Sequence, residues 1–293
     1  MRAVKERANA KINLYLDVIS KREDGFHDIK TVMHSISLAD EVTVLYTPSS
    51  VTKIRMSLKG NRFLPTDEKN LAVKAAKLYL NTAKLTANIE IILDKKIPVA
   101  AGLAGGSSDA AATLRAMNKL FGKLFTEKTL FKMATELGSD VPYCLYGKTA
   151  LCEGRGDIIT KLPDGLKLNV VVAVANERVS TPEAYSKLDE MFSSFDGTVK
   201  VGAEKFYDEL ISNLKSGRFD SSELFNIFEG VVLPTCTRAS MIKRRLVELG
   251  ATCALMSGSG PSVFGVFKTE IDAENACRVL RDEGIGAYAA KSV

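Results

Sequence analysis

The sequence predicts an α+β protein built as two domains. Its first half places several strand patterns ahead of a group of helical patterns, instead of alternating the two strictly. Its second half begins with the apolar strand pattern LNVVVAVA and ends with further strands and a helix. At 293 residues the chain is too long for one hydrophobic core of ordinary size. The stretch GRGDIITKLPDG separates the two halves, so we expect domains over residues 1–160 and 161–293.

The N-terminal segment has the alternation of a half-buried strand. Ile12, Leu14 and Leu16 share one face, and Lys11 and Asn13 share the other. The runs TVMHSISL, EVTVLY and KIRMSL continue the β pattern. The first domain is therefore expected to begin with several strands.

Helical spacing then extends from about residue 70 to residue 83, and IEIILDKKI predicts a strand. A further helix is expected over 108–120, where Ala, Leu, Arg and Met have high helix propensity. Thr126 is a suitable N-cap for a helix that runs to Leu137 and ends at Gly138.

The last third of the chain predicts a small α/β sandwich. A helix over 235–249 leads into the strand TCALM, the loop SGSGPS and the strand VFGVF, and a helix over 272–283 follows. Two strands joined by a Gly/Ser loop and flanked by helices are typical of such a sandwich.

The composition bears on whether the protein enters a membrane, is secreted or contains disulfides. No stretch reaches the ~18 apolar residues of a membrane span, and the N-terminus MRAVKERANAKINL lacks the apolar core of a signal peptide. The five cysteines form no CxxC pair, which favours reduced thiols over a zinc site or a disulfide framework. We expect a cytoplasmic protein with no membrane partner.

The segment PVAAGLAGGSSDAA, residues 98–111, follows a predicted strand and opens a predicted helix. Glycines let the backbone approach a ligand closely, and the first amides of a helix have no partner within it and carry the positive end of its dipole. Ser107 and Ser108 add hydroxyl groups. The chain contains neither GxxxxGK[ST] nor GxGxxG. Composition alone leaves two interpretations open, a phosphate site and a tight packing loop.

Several segments together resemble the GHMP kinases. The phosphate-binding motif of that family is similar to PVAAGLAGGSSDAA, and the other matching segments are AKINLYLDV, REDGFHDIKTVMHSISLAD, GSDVPY and SGSGPSVF. The resemblance covers nearly the whole chain and is weakest over residues 186–235. It implies an N-terminal domain of ribosomal-S5-like topology that binds ATP and a C-terminal ferredoxin-like α/β sandwich that contributes to the substrate cleft.

Within the family, the resemblance points to kinases of the non-mevalonate isoprenoid pathway. These enzymes use ATP and Mg²⁺ to phosphorylate the 2-hydroxyl of a cytidine-diphosphate-linked methylerythritol. The resemblance implies that the nucleotide phosphates bind the loop through Pro98, Ala101, Gly102, Leu103, Gly105, Gly106, Ser107 and Ser108.

The resemblance also implies the catalytic residues. Asp140, in GSDVPY, matches the family's catalytic aspartate, and Lys11 matches the lysine that orients it and offsets charge on the phosphoryl group. From the residues alone, Asp140 is more typical of a helix N-cap, and both roles could coexist if Ser139 is the cap. Asn13 lies two residues after Lys11, on the same strand face, and is expected to bind the substrate's polyol.

For the cytidine, the resemblance assigns the turn GFHD and the aromatic residue of STPEAY. Phe26 and Tyr185 are expected to stack on the pyrimidine, and His27 to bond its edge. Phe26 stands where many relatives have tyrosine. His34 falls on an apolar strand face and is expected to be a hydrogen-bonded core histidine.

Other positions near the loop carry weaker expectations. Asp109 is expected to favour the helix N-terminus electrostatically, with an influence on magnesium through water as the alternative. Asn70, Leu71 and Lys95 are candidates for the adenine pocket, and no magnesium ligand is assigned. Ala104 stands where relatives often have glycine, and the substitution weakens ATP binding if that position requires a positive φ.

Two alternative functions stay open. One is another small-molecule kinase of the same family, of the homoserine or mevalonate type. The other is an RNA-binding protein, since the net charge is +5 and the pI is near 8.8. An RNA-binding surface requires clustered basic residues with aromatic residues among them, and here the basic residues are scattered. A small-molecule substrate, and no nucleic acid, is therefore the expected partner.

Overall fold

Two long strands begin the chain, and each contributes to two units. The computed structural model describes residues 1–60, 63–177, 179–194 and 201–293. Strand β1 covers Arg2–Lys21 and strand β2 covers His27–Pro48. The first unit comprises residues 1–10, 39–99 and 104–147, and the second comprises residues 11–38, 100–103 and 148–293. Neither unit is one continuous segment, and the domain boundary near residue 160 stays a prediction.

The first unit combines strands with a group of helices, as expected of an α+β fold. Its remaining elements are β3 Lys53–Lys59, α1 Leu71–Ala83, β4 Ala87–Asp94, α2 Gly105–Leu120, α3 Glu127–Leu137 and α4 Val141–Tyr146. Strand β4 pairs in parallel with β3 and antiparallel with the second half of β2. The core brings alternate residues of β4, Ile89, Ile91 and Leu93, against alanine-rich faces of α1 and α2. Small side chains on those faces let the two helices approach closely.

The helix predictions of this unit are confirmed, with one shift. Asn70 caps α1 by accepting a hydrogen bond from the amide of Ala72 at 3.0 Å, and Thr126 caps α3. Helix α2 begins at Gly105, three residues before the predicted start. Glycine has low helix propensity, so a propensity argument places the start too late.

The second unit contains all the later helices and strands, and four of its strands form a separate sheet. Its elements are β5 Thr149–Gly154, β6 Ile158–Lys161, β7 Asn169–Val174, α5 Thr181–Ser194, α6 Val201–Lys215, β8 Phe225–Asn226, α7 Glu229–Val232, α8 Thr237–Glu248, β9 Cys253–Met256, β10 Val263–Phe267, α9 Glu270–Asp282 and β11 Gly286–Lys291. Strands β11, β7, β10 and β9 lie in that order, and every neighbouring pair is antiparallel. With helices between β7 and β9 and between β10 and β11, this is the predicted ferredoxin-like sandwich.

His34 is the buried histidine that the strand pattern predicts. It is 2% exposed, and its two ring nitrogens lie 2.8 Å from the hydroxyl of Thr149 and 2.7 Å from that of Ser292. Burial lowers the pKa of His34 to about 4. The ring is therefore neutral near pH 7 and serves the packing of β2 and β5.

No helix in the described part of the chain is long and apolar enough to span a membrane.

Candidate active site

The first half of the glycine-rich loop, residues 100–103, belongs to the second unit and packs against the SGSGPS loop of that unit. Gly102 has a φ of +73°, and a Cβ at this position would lie 2.1 Å from the carbonyl oxygen of Ser257. The hydroxyl of Ser257 donates a hydrogen bond to the carbonyl of Gly102 at 3.0 Å. Only glycine fits at residue 102, because both the backbone angle and the space exclude a side chain.

Lys11 and Asn13 of β1 lie beside these two loops. Lys11 is 4% exposed and its ammonium donates a hydrogen bond to Oδ1 of Asn13 at 2.6 Å. The same oxygen accepts the amide of Gly258 at 2.9 Å, and the Asn13 amide group donates to Thr31 Oγ1 at 2.8 Å. The backbone amide of Lys11 donates to the carbonyl of Leu103 at 3.2 Å. The structure therefore brings a buried cation together with residues of both glycine loops. Lys11 and Asn13 contact each other, in agreement with their expected positions on one face of the strand.

The second half of the glycine-rich loop forms the N-terminus of α2. Ala104 is the N-cap, with φ 55° and ψ 27° in the left-handed region, and it has no capping side chain. Its carbonyl accepts the amide of Ser108 at 2.8 Å. The amides of Gly105, Gly106 and Ser107 precede that first helical bond, so they are the groups that a helix leaves for an anion. Residue 104 therefore has a positive φ, the condition under which its alanine is expected to weaken ATP binding.

A buried ion cluster lies directly under this helix start. The ammonium of Lys95 contacts Asp40 Oδ2 at 2.5 Å and Asp109 Oδ2 at 2.8 Å, and all three side chains are at most 4% exposed. A Cβ added at Gly105 would lie 2.9 Å from that ammonium and 3.1 Å from Ile97 Cγ2. A side chain at residue 105 would therefore press on Lys95 and Ile97.

This cluster corrects the expectation for Asp109. Asp109 is not a first-turn residue, because α2 begins at Gly105, and its carboxylate pairs with Lys95 instead of interacting with the helix dipole. Burial raises the pKa of Asp109, and the Lys95 ammonium opposes that rise. The Lys95 ammonium is paired with two carboxylates, and its place in the adenine pocket stays a prediction.

The two serines of the loop differ in their surroundings. Ser108 is 2% exposed, and its hydroxyl donates to the carbonyl of Asn9 at 2.5 Å. Ser107 is partly exposed at the helix start. The hydroxyl expected to reach a phosphate from Ser108 is thus engaged within the protein, and Ser107 is the better placed of the two.

Asp140 occupies the N-cap position of α4 in the first unit. Its backbone is in the right-handed helical region, with φ −83° and ψ −13°, and its carboxylate caps no amide of the described chain. Pro142 in the first turn helps to fix the start of this short helix. The carboxylate is therefore not used as a helix cap, which was the alternative role for this residue.

Phe26 projects from a tight charged turn in the second unit. Gly25 has a φ of +82°, and the amide of Phe26 donates to Asp24 Oδ1 at 3.1 Å. Arg22 bonds Asp24 in turn at 3.2 Å. The Phe26 ring is 49% exposed, and the guanidinium carbon of Arg155 lies 3.6 Å from its centroid. One face of the ring is therefore covered by a cation, an interaction worth about 0.5–1 kcal/mol at exposed sites.

His27 is held by helix α5. Its ring stacks on Tyr185, with centroids 4.5 Å apart and planes at 25°, and its Nε2 lies 2.7 Å from Asp189 Oδ1. Lys21 donates to Asp189 Oδ2 at 2.7 Å, and Tyr185 also packs edge-on against Phe228. Of the three residues expected at the pyrimidine, the structure brings His27 and Tyr185 into contact and places Phe26 against Arg155.

Sequence reasoning missed Asp189, Arg155 and the Asp40 partner of Lys95. Asp189 follows Tyr185 by four residues, so the helical period could have placed both on one face of α5. No sequence signal links Arg155 to Phe26 or Asp40 to Lys95, because these contacts depend on pairing of distant segments.

Comparison with known proteins identifies the family. Residues 70–148 match the model of the GHMP kinase N-terminal domain, and residues 204–286 match that of the GHMP kinase C-terminal domain. The chain is 40% identical to a 4-diphosphocytidyl-2-C-methyl-D-erythritol kinase of Lachnospira eligens, over 97% of this chain and 96% of the relative. It is 39% identical to the same kinase of Bacillus subtilis, over 98% and 96%.

Solved structures agree with that assignment. A crystal structure of 4-(cytidine 5'-diphospho)-2C-methyl-D-erythritol kinase covers 98% of both chains, with a TM-score of 0.80 and 32% identity. Homoserine kinase from Cytophaga hutchinsonii covers 100% of this chain and 95% of its own, with a TM-score of 0.79 and 22% identity, and so shares the fold. The chain therefore belongs to the 4-diphosphocytidyl-2-C-methyl-D-erythritol kinase family of the GHMP kinases, and it is a phosphotransferase.

Proposed function

We propose that this protein transfers the γ-phosphoryl group of ATP to the 2-hydroxyl of 4-diphosphocytidyl-2-C-methyl-D-erythritol. The observation that carries the proposal is the contact of Lys11 and Asn13 with residues of both glycine loops, Gly258 and Leu103. Together with the names of the relatives at about 40% identity, this arrangement supports phosphoryl transfer to an alcohol.

The phosphates of ATP are proposed to bind at the start of α2. The amides of Gly105, Gly106 and Ser107 supply donors at the positive end of the helix dipole. Gly106 is exposed, and a Cβ there would meet only Leu71 Cδ1 at 3.8 Å, so the backbone is open to a ligand.

Phosphoryl transfer needs a group that accepts the proton of the attacking hydroxyl, and positive charge near the phosphoryl oxygens. We assign the first role to Asp140, whose carboxylate is not used as a helix cap. The second role belongs to Lys11, whose ammonium is held in place by Asn13. Asn13 is proposed to contact the hydroxyl-bearing part of the acceptor.

Magnesium is proposed to enter with the nucleotide. In the described residues, no group of three or more His, Cys, Asp and Glu side chains is placed to hold a metal ion. Asp109, the carboxylate nearest the loop in sequence, is paired with Lys95. Phosphate oxygens and water are ligands that Mg²⁺ accepts readily, so the ion would neutralise charge on the triphosphate without a dedicated protein site.

The cytidine is proposed to bind at the turn that carries Phe26. The face of Phe26 opposite Arg155 offers a surface for the pyrimidine, and His27 lies next to it along β2. Tyr185 is the second aromatic, and it already lies against His27. We also propose a cytoplasmic enzyme with a small-molecule partner. No nucleic-acid partner is proposed, because the basic residues are scattered along the chain.

The test is transfer of labelled phosphate from ATP to a panel of acceptors: the cytidine-diphosphate methylerythritol, homoserine and mevalonate. Asp140→Asn serves as the matched control, because it keeps the size of the side chain and removes the base. Rapid labelling of the cytidine acceptor alone, lost in the control, supports the proposal. Preferential labelling of homoserine or mevalonate would overturn it.

A further inference from the structure

Helix α5 presents two side chains to one imidazole. Tyr185 and Asp189 are separated by four residues, one helical turn, and both face His27. Tyr185 covers a face of the ring at 4.5 Å, and Asp189 holds its Nε2 at 2.7 Å. The His27 side chain is 8% exposed, so its ring orientation is fixed by these contacts and not by solvent.

The carboxylate of Asp189 determines which nitrogen of His27 carries a proton. Burial works against ionisation of Asp189, but hydrogen bonds from Lys21 and His27 outweigh it and lower the pKa of this carboxyl. An ionised carboxylate only accepts hydrogen bonds. The Nε2 atom of His27 must therefore be the donor, and in the neutral ring Nδ1 is left as an acceptor.

Within the part of the chain that the structure describes, Nδ1 of His27 forms no hydrogen bond. A largely buried acceptor of this kind discriminates strongly between partners, because a mismatched group leaves it unpaired. Cytosine presents an amino group, N4, at the position where uracil presents the carbonyl O4. An acceptor at Nδ1 pairs with the first and is repelled by the second.

We propose that Asp189 is a positioning residue that fixes His27 as the Nε2–H tautomer, so that Nδ1 selects the amino group of cytosine over the keto group of uracil. This inference rests on the proposed function for the location of the pyrimidine. It assigns to Asp189 no contact with the substrate, only an action through His27.

The first readout is independent of any ligand. The chain has two histidines, so nitrogen-15 NMR resolves both rings, and His34 serves as an internal standard. We expect wild-type His27 to show a pyrrole-type Nε2 and a pyridine-type Nδ1. In Asp189→Ala the two nitrogen shifts should move toward one another as both tautomers are populated, while those of His34 stay unchanged. Lys21→Met is the matched control, because it removes the other partner of Asp189 and keeps the carboxylate.

The second readout is the ratio of the dissociation constants for cytidine diphosphate and uridine diphosphate. Wild type and Lys21→Met should prefer the cytidine nucleotide, and Asp189→Ala should reduce that preference about tenfold, the effect of one buried unpaired acceptor. Asp189→Asn provides a second variant of nearly the same shape, with an intermediate effect.

Three results would overturn the inference: an unchanged His27 tautomer in Asp189→Ala, an unchanged nucleotide preference in that variant, or equal wild-type affinity for the two nucleotides. Failure of the proposed function has a different signature, namely no phosphorylation of the cytidine acceptor by the wild-type enzyme. The two failures are therefore distinguishable.

Discussion

The base of the glycine-rich loop and the turn at residues 22–28 are both organised by ion pairs, but they differ in burial. The side chains of Lys95 and Asp40 are 3% and 0% exposed, whereas those of Arg22 and Asp24 are 38% and 43% exposed. Charges removed from water interact strongly and cannot be left unpaired, while exposed charges are screened. The proposed donor site is thus built on the folding core, and the proposed acceptor site is built on the surface.

The largest effect that follows is on stability. Lys95→Met should lower the free energy of unfolding by about 3–5 kcal/mol, because it leaves Asp40 and Asp109 buried without their cation. Arg22→Met, the matched change in the turn, should leave the urea midpoint almost unaltered. Denaturation followed by circular dichroism measures both. Equal small shifts in the two variants would remove the distinction between the two regions.

The next effect is on turnover. Asp140→Asn should reduce kcat by about 10²-fold or more, since it removes the group assigned to accept the proton. The KM for ATP and the circular dichroism spectrum should stay close to wild type, because the carboxylate caps no amide of the described chain. Turnover near the wild-type rate would show that another group accepts the proton.

A smaller effect is expected on acceptor affinity. Phe26→Ala should raise the KM for the cytidine acceptor about ten- to hundredfold, as loss of a base-stacking face costs about 1–3 kcal/mol. Stability should change little, because the ring is half exposed. Phe26→Tyr keeps the ring and should retain the wild-type KM. Tyr185→Ala should have a similar effect on KM and also destabilise the protein, since Tyr185 packs against Phe228. A rise in the KM for ATP instead would place these aromatics at the donor.

The smallest effect concerns the loop backbone. Ala104→Gly should stabilise the protein by about 1 kcal/mol, because an alanine in the left-handed region is strained and glycine is not. Affinity for ATP should be equal or higher. Ala110→Gly within α2 is the opposing control and should destabilise, since glycine weakens a helix interior. A loss of stability in Ala104→Gly would mean that the backbone at this position is not strained.

Much of the fold could be predicted from local patterns. The alternation around Lys11, the helices capped by Asn70 and Thr126, and the strand pair around SGSGPS are all set by neighbouring residues, and all are confirmed. The two runs expected at 31–46 are one continuous strand, because Asp40 between them is neutralised by Lys95 and does not interrupt the pairing.

The site was predicted less completely, because its polar contacts join distant segments. The burial of Ser108 against Asn9 and the pairing of Asp109 with Lys95 depend on strands that the helix start approaches only in the folded chain. Arg155 reaches Phe26 from more than a hundred residues away. The assignments of Lys11, Asp140, Phe26, His27 and Tyr185 to catalysis and substrate binding stay predictions for the experiments above.

The shared strands β1 and β2 restrict how such an enzyme can be divided or recombined. The two units comprise six chain segments in all, three each, so the backbone passes from one to the other five times. No single cleavage releases an intact unit, and a fragment spanning residues 161–293 lacks the β1 and β2 residues that belong to its own unit. Exchange of the C-terminal half between relatives would therefore transplant helix α5 without the turn that carries His27. Substrate preference in this architecture is expected to change by point substitution more readily than by fusion of gene segments.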